Sequence, residues 1–202
     1  MSLLVLQGAV EQGFIYALVA LGLYISFRTL DIADLTTDGT FTLGAAVSAV
    51  FTVQGQPLLG VVLAFFCGAL AGFVTALLQT KLGVQPILAG IITMTALYSV
   101  NLMVMGKPNI NFFKEKTIFT AAEAMPGGFG SLLQAAAITA VLCVLLVLFL
   151  RTQLGLSLRA TGDNRDMVSA SSINPAFTTT VGLCLSNAVV ALSGALIAQY
   201  QK

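Results

Sequence analysis

The chain has 202 residues, of which 57% are hydrophobic and 8% charged, with a formal net charge of +1 and a mean hydropathy of +0.96. A soluble domain carries roughly a quarter of its residues as charges, so this composition excludes one and places the chain in a bilayer.

A bilayer core about 30 Å thick needs about 20 predominantly apolar residues per helix. Six runs approach or meet that length: Leu3 to Phe27, Thr40 to Val53, Pro57 to Leu78, Pro86 to Met105, Ser131 to Leu150 and Ala176 to Ala198. Lipid offers no partner to a free backbone amide, so each run must be a helix or a strand of a closed barrel. Their unbroken apolar character excludes the alternating pattern of a barrel. The expected fold class is therefore all-α, a polytopic transmembrane bundle with about six spans. Pro57, Pro86, Pro108, Pro126 and Pro175 all fall at or outside the edges of these runs, where a missing N–H breaks no helical bond.

The first run lacks a basic leader and carries Glu11 and Gln12 near its start, which argues against a cleavable signal peptide. After it come Asp31, Asp34 and Asp38, three and four residues apart. Like charges at that spacing repel on one helical face, so the chain is expected to break there, with Thr37 or Asp38 capping a short following helix. Two readings stand for the acids: solvated caps at the cytoplasmic end, or a gate or cation-attracting vestibule, for which Asp34 and Asp38 are the candidates. The second run is short enough to be a half-span.

The third run places Ala64, Gly68 and Gly72 on one face, a stripe that lets another backbone come close, within the chain or in a dimer. In the fourth, Thr93, Thr95, Tyr98 and Asn101 are polar, with Thr93, Tyr98 and Asn101 expected to approach a common face; in the sixth, Ser186, Asn187 and Ser193 are polar, the two serines sharing a face. Such groups either bond neighbouring helices or line a pore, and Thr93, Thr95, Asn101 and Asn187 are the pore candidates. The loop from Gly106 to Gly130 contains KPNINFFKEK and MPGGFG; it either meets a binding protein or is a plain connection. Cys67, Cys143 and Cys184 lie inside apolar runs without close spacing, which excludes metal and CxxC redox roles.

Between the fifth and sixth runs lies RTQLGLSLRATGDNRDMVSASSINP, residues 151–175. Asp163 is placed to cap a two-turn helix that Asn174-Pro175 ends. Too short to be stable alone, that helix shows Met167, Val168, Ala170 and Ser171 and suits insertion into a partner's groove. An ordinary surface connection is the other reading. With this loop in the cytoplasm, Arg28, Lys81, Arg151, Arg159 and Arg165 lie inside and Lys107, Lys114, Lys116 and Lys202 outside. The positive-inside rule barely separates these two sets.

Arg151, Thr152, Gly155, Leu158, Arg159, Ala160, Gly162, Asn164, Ala170, Ser171, Ile173 and Asn174 resemble the cytoplasmic loop of bacterial ABC importer permeases of the branched-chain amino acid and ribose type. Members of that family read R-T-x-x-G-x-x-L-R-A-x-G-x-N, then a short helix, then a G-I-N-like turn; here Ser172 stands where Gly is more usual. Gln12 to Ala49 is similar to the family's first helix, acidic turn and glycine-containing helix, and Leu82 to Asn101 to its Pro-initiated helix with a polar T-M-T centre.

The resemblance implies a single permease domain over residues 1–202 in the bacterial cytoplasmic (inner) membrane, with 151–175 as its coupling loop. Arg159, Gly162, Asp163, Asn164, Met167, Ala170 and Ser171 would then meet an ATPase. The chain itself contains no G-x-x-x-x-G-K-[ST] loop and is expected to be non-catalytic, with no cofactor or metal of its own. MgATP would sit on a separate nucleotide-binding ATPase subunit. The other implied partners are a second permease copy or paralogue, an extracytoplasmic solute-binding protein and the lipid bilayer, with no nucleic acid. The expected cargo is a small organic solute, an amino acid of aromatic or branched type, moved by alternating access. An importer of a sugar or nucleoside, an ion-coupled secondary transporter and a small assembly protein are the alternatives. Family members continue with further helices beyond the position of Lys202, so a partial chain is expected.

Overall fold

The computed structural model describes residues 3–107, 109–111, 115–120 and 129–201. Pro108, Lys114, Pro126, Lys202 and most of MPGGFG lie outside the described residues, so the docking role expected for the 106–130 loop has only part of its residues in view.

Helix α1 spans Leu3–Leu23 and runs into a π-helical turn, Tyr24–Thr29. Then follow α2 (Thr36–Val53), α3 (Pro57–Thr80), α4 (Pro86–Met105), α5 (Gly130–Leu150), α6 (Gln153–Asp163), α7 (Arg165–Ala170) and α8 (Pro175–Gln201). No strand occurs among the described residues. Five segments, centred on α1, α3, α4, α5 and α8, are long and apolar enough to cross a membrane. Helix α2 has the length, but Thr36, Thr37, Thr40, Thr42, Ser48 and Thr52 lower its hydropathy. It begins four residues earlier than the apolar run predicts, because Thr40 hands its proton to the carbonyls of Thr36 (3.3 Å) and Thr37 (3.0 Å) and needs no water.

The bundle is built around α8: 72% of its most apolar window is buried, against 11% for α5, which lies at the periphery. The small-residue stripe of α3 serves packing within the chain. A Cβ on Gly72 would collide with the Leu183 carbonyl, and one on Gly44 of α2 with the Ala191 carbonyl, so α8 touches both neighbours backbone to backbone. Ser186 and Ser193 donate to the carbonyls of Gly22 (2.8 Å) and Ile15 (2.7 Å), tying α8 to α1. At the end of the bundle away from α6 and α7, buried Glu11 accepts from Tyr200 (2.6 Å), Ser131 (2.8 Å) and Gln7 (2.9 Å), linking α1, α5 and α8. Gln199 beside it donates to Ser48 and to the Pro57 carbonyl, both at 2.9 Å, and accepts from the Ile118 amide at 3.1 Å.

The segment between α5 and α8 is more helical than its sequence predicts. Thr152 caps α6, an eleven-residue helix whose two glycines hid it. Asp163 ends α6 rather than capping the next helix; Asn164 caps α7, its Oδ1 accepting from the Met167 amide at 3.0 Å. Asn174 does not end α7 but caps α8, accepting from the Ala176 amide at 3.0 Å. Helix α7 closes with the Ser172 amide on the Ser169 carbonyl and the Ile173 amide on the Val168 carbonyl, both 3.3 Å. This Schellman geometry places its C′ residue in the left-handed region, and Ser172 sits there with φ 62°. Left-handed backbone costs a non-glycine residue about 1–2 kcal/mol. Ser172→Gly is therefore expected to raise the apparent melting temperature in detergent by about 2–8 °C; a fall would mean that the serine side chain contributes more than its backbone costs.

Candidate functional site

The break after α1 lies deep in the bundle. The π-helical turn Tyr24–Thr29 shifts the backbone register, Asp31 takes φ 54°, and the chain re-enters helix at Thr36. Asp34 is the residue that starts α2: its Oδ1 accepts from the Thr36 amide at 2.9 Å, and its carbonyl accepts from the Thr37 hydroxyl at 3.1 Å. The cap expected at Thr37 or Asp38 does not form there: the N-cap position is Leu35, and the side-chain acceptor at the helix start comes from Asp34, one residue before it. Its other carboxylate oxygen accepts from Asn187 Nδ2 of α8 at 2.7 Å. Asn187 also donates to the Leu183 carbonyl at 3.0 Å and accepts from Thr40 at 2.9 Å. Thr36 and Thr75 of α3 share a hydrogen bond of 2.8 Å. Asp34 is 1% exposed and Asn187 fully buried, so Asp34 is not a solvated cap. Asp34, Asn187, Thr36, Thr40 and Thr75 lock the break to α2, α3 and α8.

Two helices measure the depth of this lock. Asn187 lies about 18 Å from the first residue of α8 and about 21 Å from its last, at 1.5 Å per residue. Thr95 is about 14–15 Å from either end of α4, and it lies beside Gly39 of α2. Thr36, however, bonds Thr75 about 8 Å from the end of α3, and Leu35 lies against Gly90 about 6 Å from the start of α4, so the start of α2 falls between mid-depth and the α6–α7 end of the bundle.

Asp38 leaves this lock on the opposite side of α2. It is exposed and lines two adjoining grooves. One, of about 360 Å³, is formed with Gly39, Thr42, Met94, Thr95 and Tyr98. The other, of about 380 Å³, is formed with Tyr16, Val19, Leu23, Thr37, Phe41 and Thr42, and Tyr16 and Phe41 stack at its wall with centroids 6.1 Å apart. A carboxylate facing hydrocarbon at this depth would cost about 2.5–3.5 kcal/mol on insertion scales, so this face suits water or protein better than lipid.

Of the remaining polar residues, Thr95 faces the groove, with its hydroxyl donating to the carbonyls of Ile91 and Ile92 at 2.9 Å. Asn101 is 8% exposed and donates to Thr42 at 2.8 Å, while its Oδ1 is buried without a partner among the described residues. Thr93 is buried on the Ala89 carbonyl at 3.0 Å. Tyr98 is 68% exposed whereas Thr93 is 4% exposed, so the common face predicted for them does not form; five residues along a helix turn it by about 140°. Thr75, Thr36 and Thr40 complete the lock without having been singled out, and the run of threonines opening α2 was the available signal.

The loop helices press on the same break. A Cβ on Gly162 would collide with the Thr29 carbonyl, so α6 lies directly against the end of the π-helical turn. Leu158 is fully buried with Leu30, Ile32, Ala76 and Leu183, and Thr161 shares a 2.8 Å hydrogen bond with Thr178 of α8. The other face is free: Arg159, Asp163, Asn164, Met167, Ala170 and Ser171 are all exposed, Met167 at 70%. A buried seat on the broken helix and an exposed, partly apolar outer face occur on one short segment.

A polytopic helical bundle with a break inside it and, beside the break, a largely apolar groove that carries an exposed carboxylate has the build of a membrane transport protein. The sequence pattern described as branched-chain amino acid transport system / permease component matches residues 5–202, and the chain belongs to that family. It is a multi-pass inner-membrane protein. It is similar to a tyrosine transport system permease protein of Clostridioides difficile (strain R20291), 38% identical over 190 residues, which cover 94% of this chain and 62% of that protein. It is also similar to the uncharacterized protein RP368 of Rickettsia prowazekii (strain Madrid E), 34% identical over 195 residues, 96% of this chain and 68% of that one. The chain thus spans less than two thirds of the length of the first relative. No solved structure matches it.

Proposed function

We propose that the chain is a permease subunit of an ATP-driven ABC uptake system, passing an amino acid of aromatic or branched type from a solute-binding protein to the cytoplasm by alternating access. A separate ATPase subunit hydrolyses MgATP, and a second permease copy or paralogue faces this one. The solute class is supported by the family's description and by the tyrosine system to which one relative belongs.

The observation that carries the reading is the seat of α6 on the helix break, with Gly162 against Thr29. Closure of the ATPase pair would push on the exposed outer face of α6 and α7. Through Gly162 and Leu158 the push reaches residues 29–32, and through Asp34 it reaches Asn187 and the start of α2. Helix α2 carries Asp38 and Thr42 along the groove, so its tilt changes the width of the path between α2 and α4. Asp38, Thr95 and, behind Thr42, Asn101 line or back that path, whereas Asp34, Asn187 and Thr93 set the geometry of its wall.

Affinity purification of the tagged protein from its native membrane in mild detergent, followed by mass spectrometry, tests this. A soluble ATPase should co-purify and be lost when residues 163–174 are replaced by a Gly-Ser linker. An intact, folded protein that brings down no ATPase would overturn the reading. A second reading, an ion-coupled secondary transporter, draws on Asp38 as an acid that has no ion-pair partner among the described residues. Uptake that persists on a proton gradient without any ATPase would favour it.

A further inference from the structure

The groove beside Asp38 has a chemical bias that its residue types alone do not reveal. Its two threonine hydroxyls have already given their protons away: Thr42 donates to the Gly39 carbonyl at 2.8 Å, and Thr95 to the Ile91 and Ile92 carbonyls at 2.9 Å. Thr42 further accepts from Asn101 at 2.8 Å, which fixes its orientation. Thr95 keeps its oxygen as an acceptor and Thr42 keeps one remaining lone pair, next to a carboxylate that accepts only. Among the described residues, no basic side chain lines either groove, and the Asp38 carboxylate has no hydrogen-bond or ion-pair partner. Of the polar groups lining the first groove, only the Tyr98 hydroxyl keeps a proton to give. Aromatic side chains line both grooves that the acid borders, Tyr98 in one and the Tyr16–Phe41 stack in the other.

We infer that this wall is a subsite for a primary ammonium group, the amino end of an amino acid in transit, with Asp38, Thr42 and Thr95 as its acceptors. The inference rests on the importer reading and adds to it where the cargo is held and by which end. Acceptors supplied by the two helices that line one groove match the N–H donors of an ammonium, and the aromatic side chains that line the grooves favour a cation. A carboxylate or phosphate finds repulsion there. A bare metal ion wants six or more oxygens all round it, whereas here three side chains supply them and about 360 Å³ stands open beside them. A side chain of aromatic size can lie in that space.

The test uses the assembled complex in membranes, with Cys67, Cys143 and Cys184 changed to Ser and Met94→Cys as a reporter that leaves every acceptor in place. A cationic ethylammonium methanethiosulfonate and its anionic ethylsulfonate counterpart are compared, each corrected for its rate with a free thiol. The cationic reagent should react about tenfold faster, the scale of electrostatic focusing in a charged cleft. Asp38→Asn should erase that preference and Asp38→Glu should keep it. Tyrosine or tyramine at high concentration should slow the cationic reaction, while the desamino analogue 3-(4-hydroxyphenyl)propionate should not. A preference unchanged in Asp38→Asn overturns the ammonium subsite and leaves the pathway standing. Slowing specific to sodium, exchanged against choline, would assign the wall to an inorganic cation and equally overturn it. If Met94→Cys reacts with neither reagent, the face is closed to water and the pathway reading falls with the subsite.

Discussion

Asn187→Leu is expected to give the largest loss of stability of any single substitution in the lock. Asn187 is the link in α8 that meets Asp34, and the Asp34 carboxylate is 1% exposed with no cation among its hydrogen-bond partners. Neutral hydrogen bonds between membrane helices average about 0.6 kcal/mol. A bond to a buried carboxylate is worth about 1.5–3 kcal/mol, and removing Asn187 strips Oδ2 of its donor while Oδ1 keeps only the Thr36 amide. With about 2–4 °C per kcal/mol for a chain of this size, the apparent melting temperature by detergent size exclusion should fall by about 5–10 °C. The sign of a second substitution makes the argument specific. Asp34→Asn, which on its own should alter uptake more than assembly, should restore part of the lost stability in the Asn187→Leu background because it removes the stranded charge. Simple additivity of the two losses would show that the carboxylate does not depend on Asn187.

The sequence placed the long helices well where proline or composition marks their ends: Pro57, Pro86 and Pro175 open α3, α4 and α8. It placed α2 poorly, because threonines look like a loop until their hydroxyls are seen to fold back on carbonyls one turn earlier. The acids show why spacing alone was insufficient. On a continuous helix Asp34 and Asp38 would share a face; α2 starts only at Thr36, between them, so Asp34 in the break is sealed against α8 and Asp38 on the helix opens on the groove. Helix α6 was hidden by Gly155 and Gly162, residues that weaken a helix in isolation. Both are there for close approach: a Cβ on Gly155 would collide with the backbone of Phe149 and Leu150, as one on Gly162 would with Thr29. Local propensity yields here to a tertiary contact that no single-sequence pattern displays.

That same contact makes Gly162→Ala the sharpest probe of transmission. The added methyl meets backbone, the Thr29 carbonyl and the carbonyl carbon of Leu30, so no side-chain rotation relieves it and α6 must lift off the break. Its outer face is untouched: Arg159, Asn164 and Met167 stay exposed for a partner. On the proposed reading the variant should insert, assemble with the ATPase and hydrolyse ATP, while uptake per ATP falls about tenfold, the scale of 1–2 kcal/mol of lost coupling. Arg159→Ala removes a charge from the outer face instead. It should weaken capture of the ATPase as well as uptake, so the two variants separate contact from transmission in one reconstituted assay of hydrolysis against transport. Coupling unchanged in both would strip the 151–175 segment of its assigned role. Loss of assembly in Gly162→Ala would mean that the seat of α6 shapes the docking face itself, and that the push enters the bundle by another route.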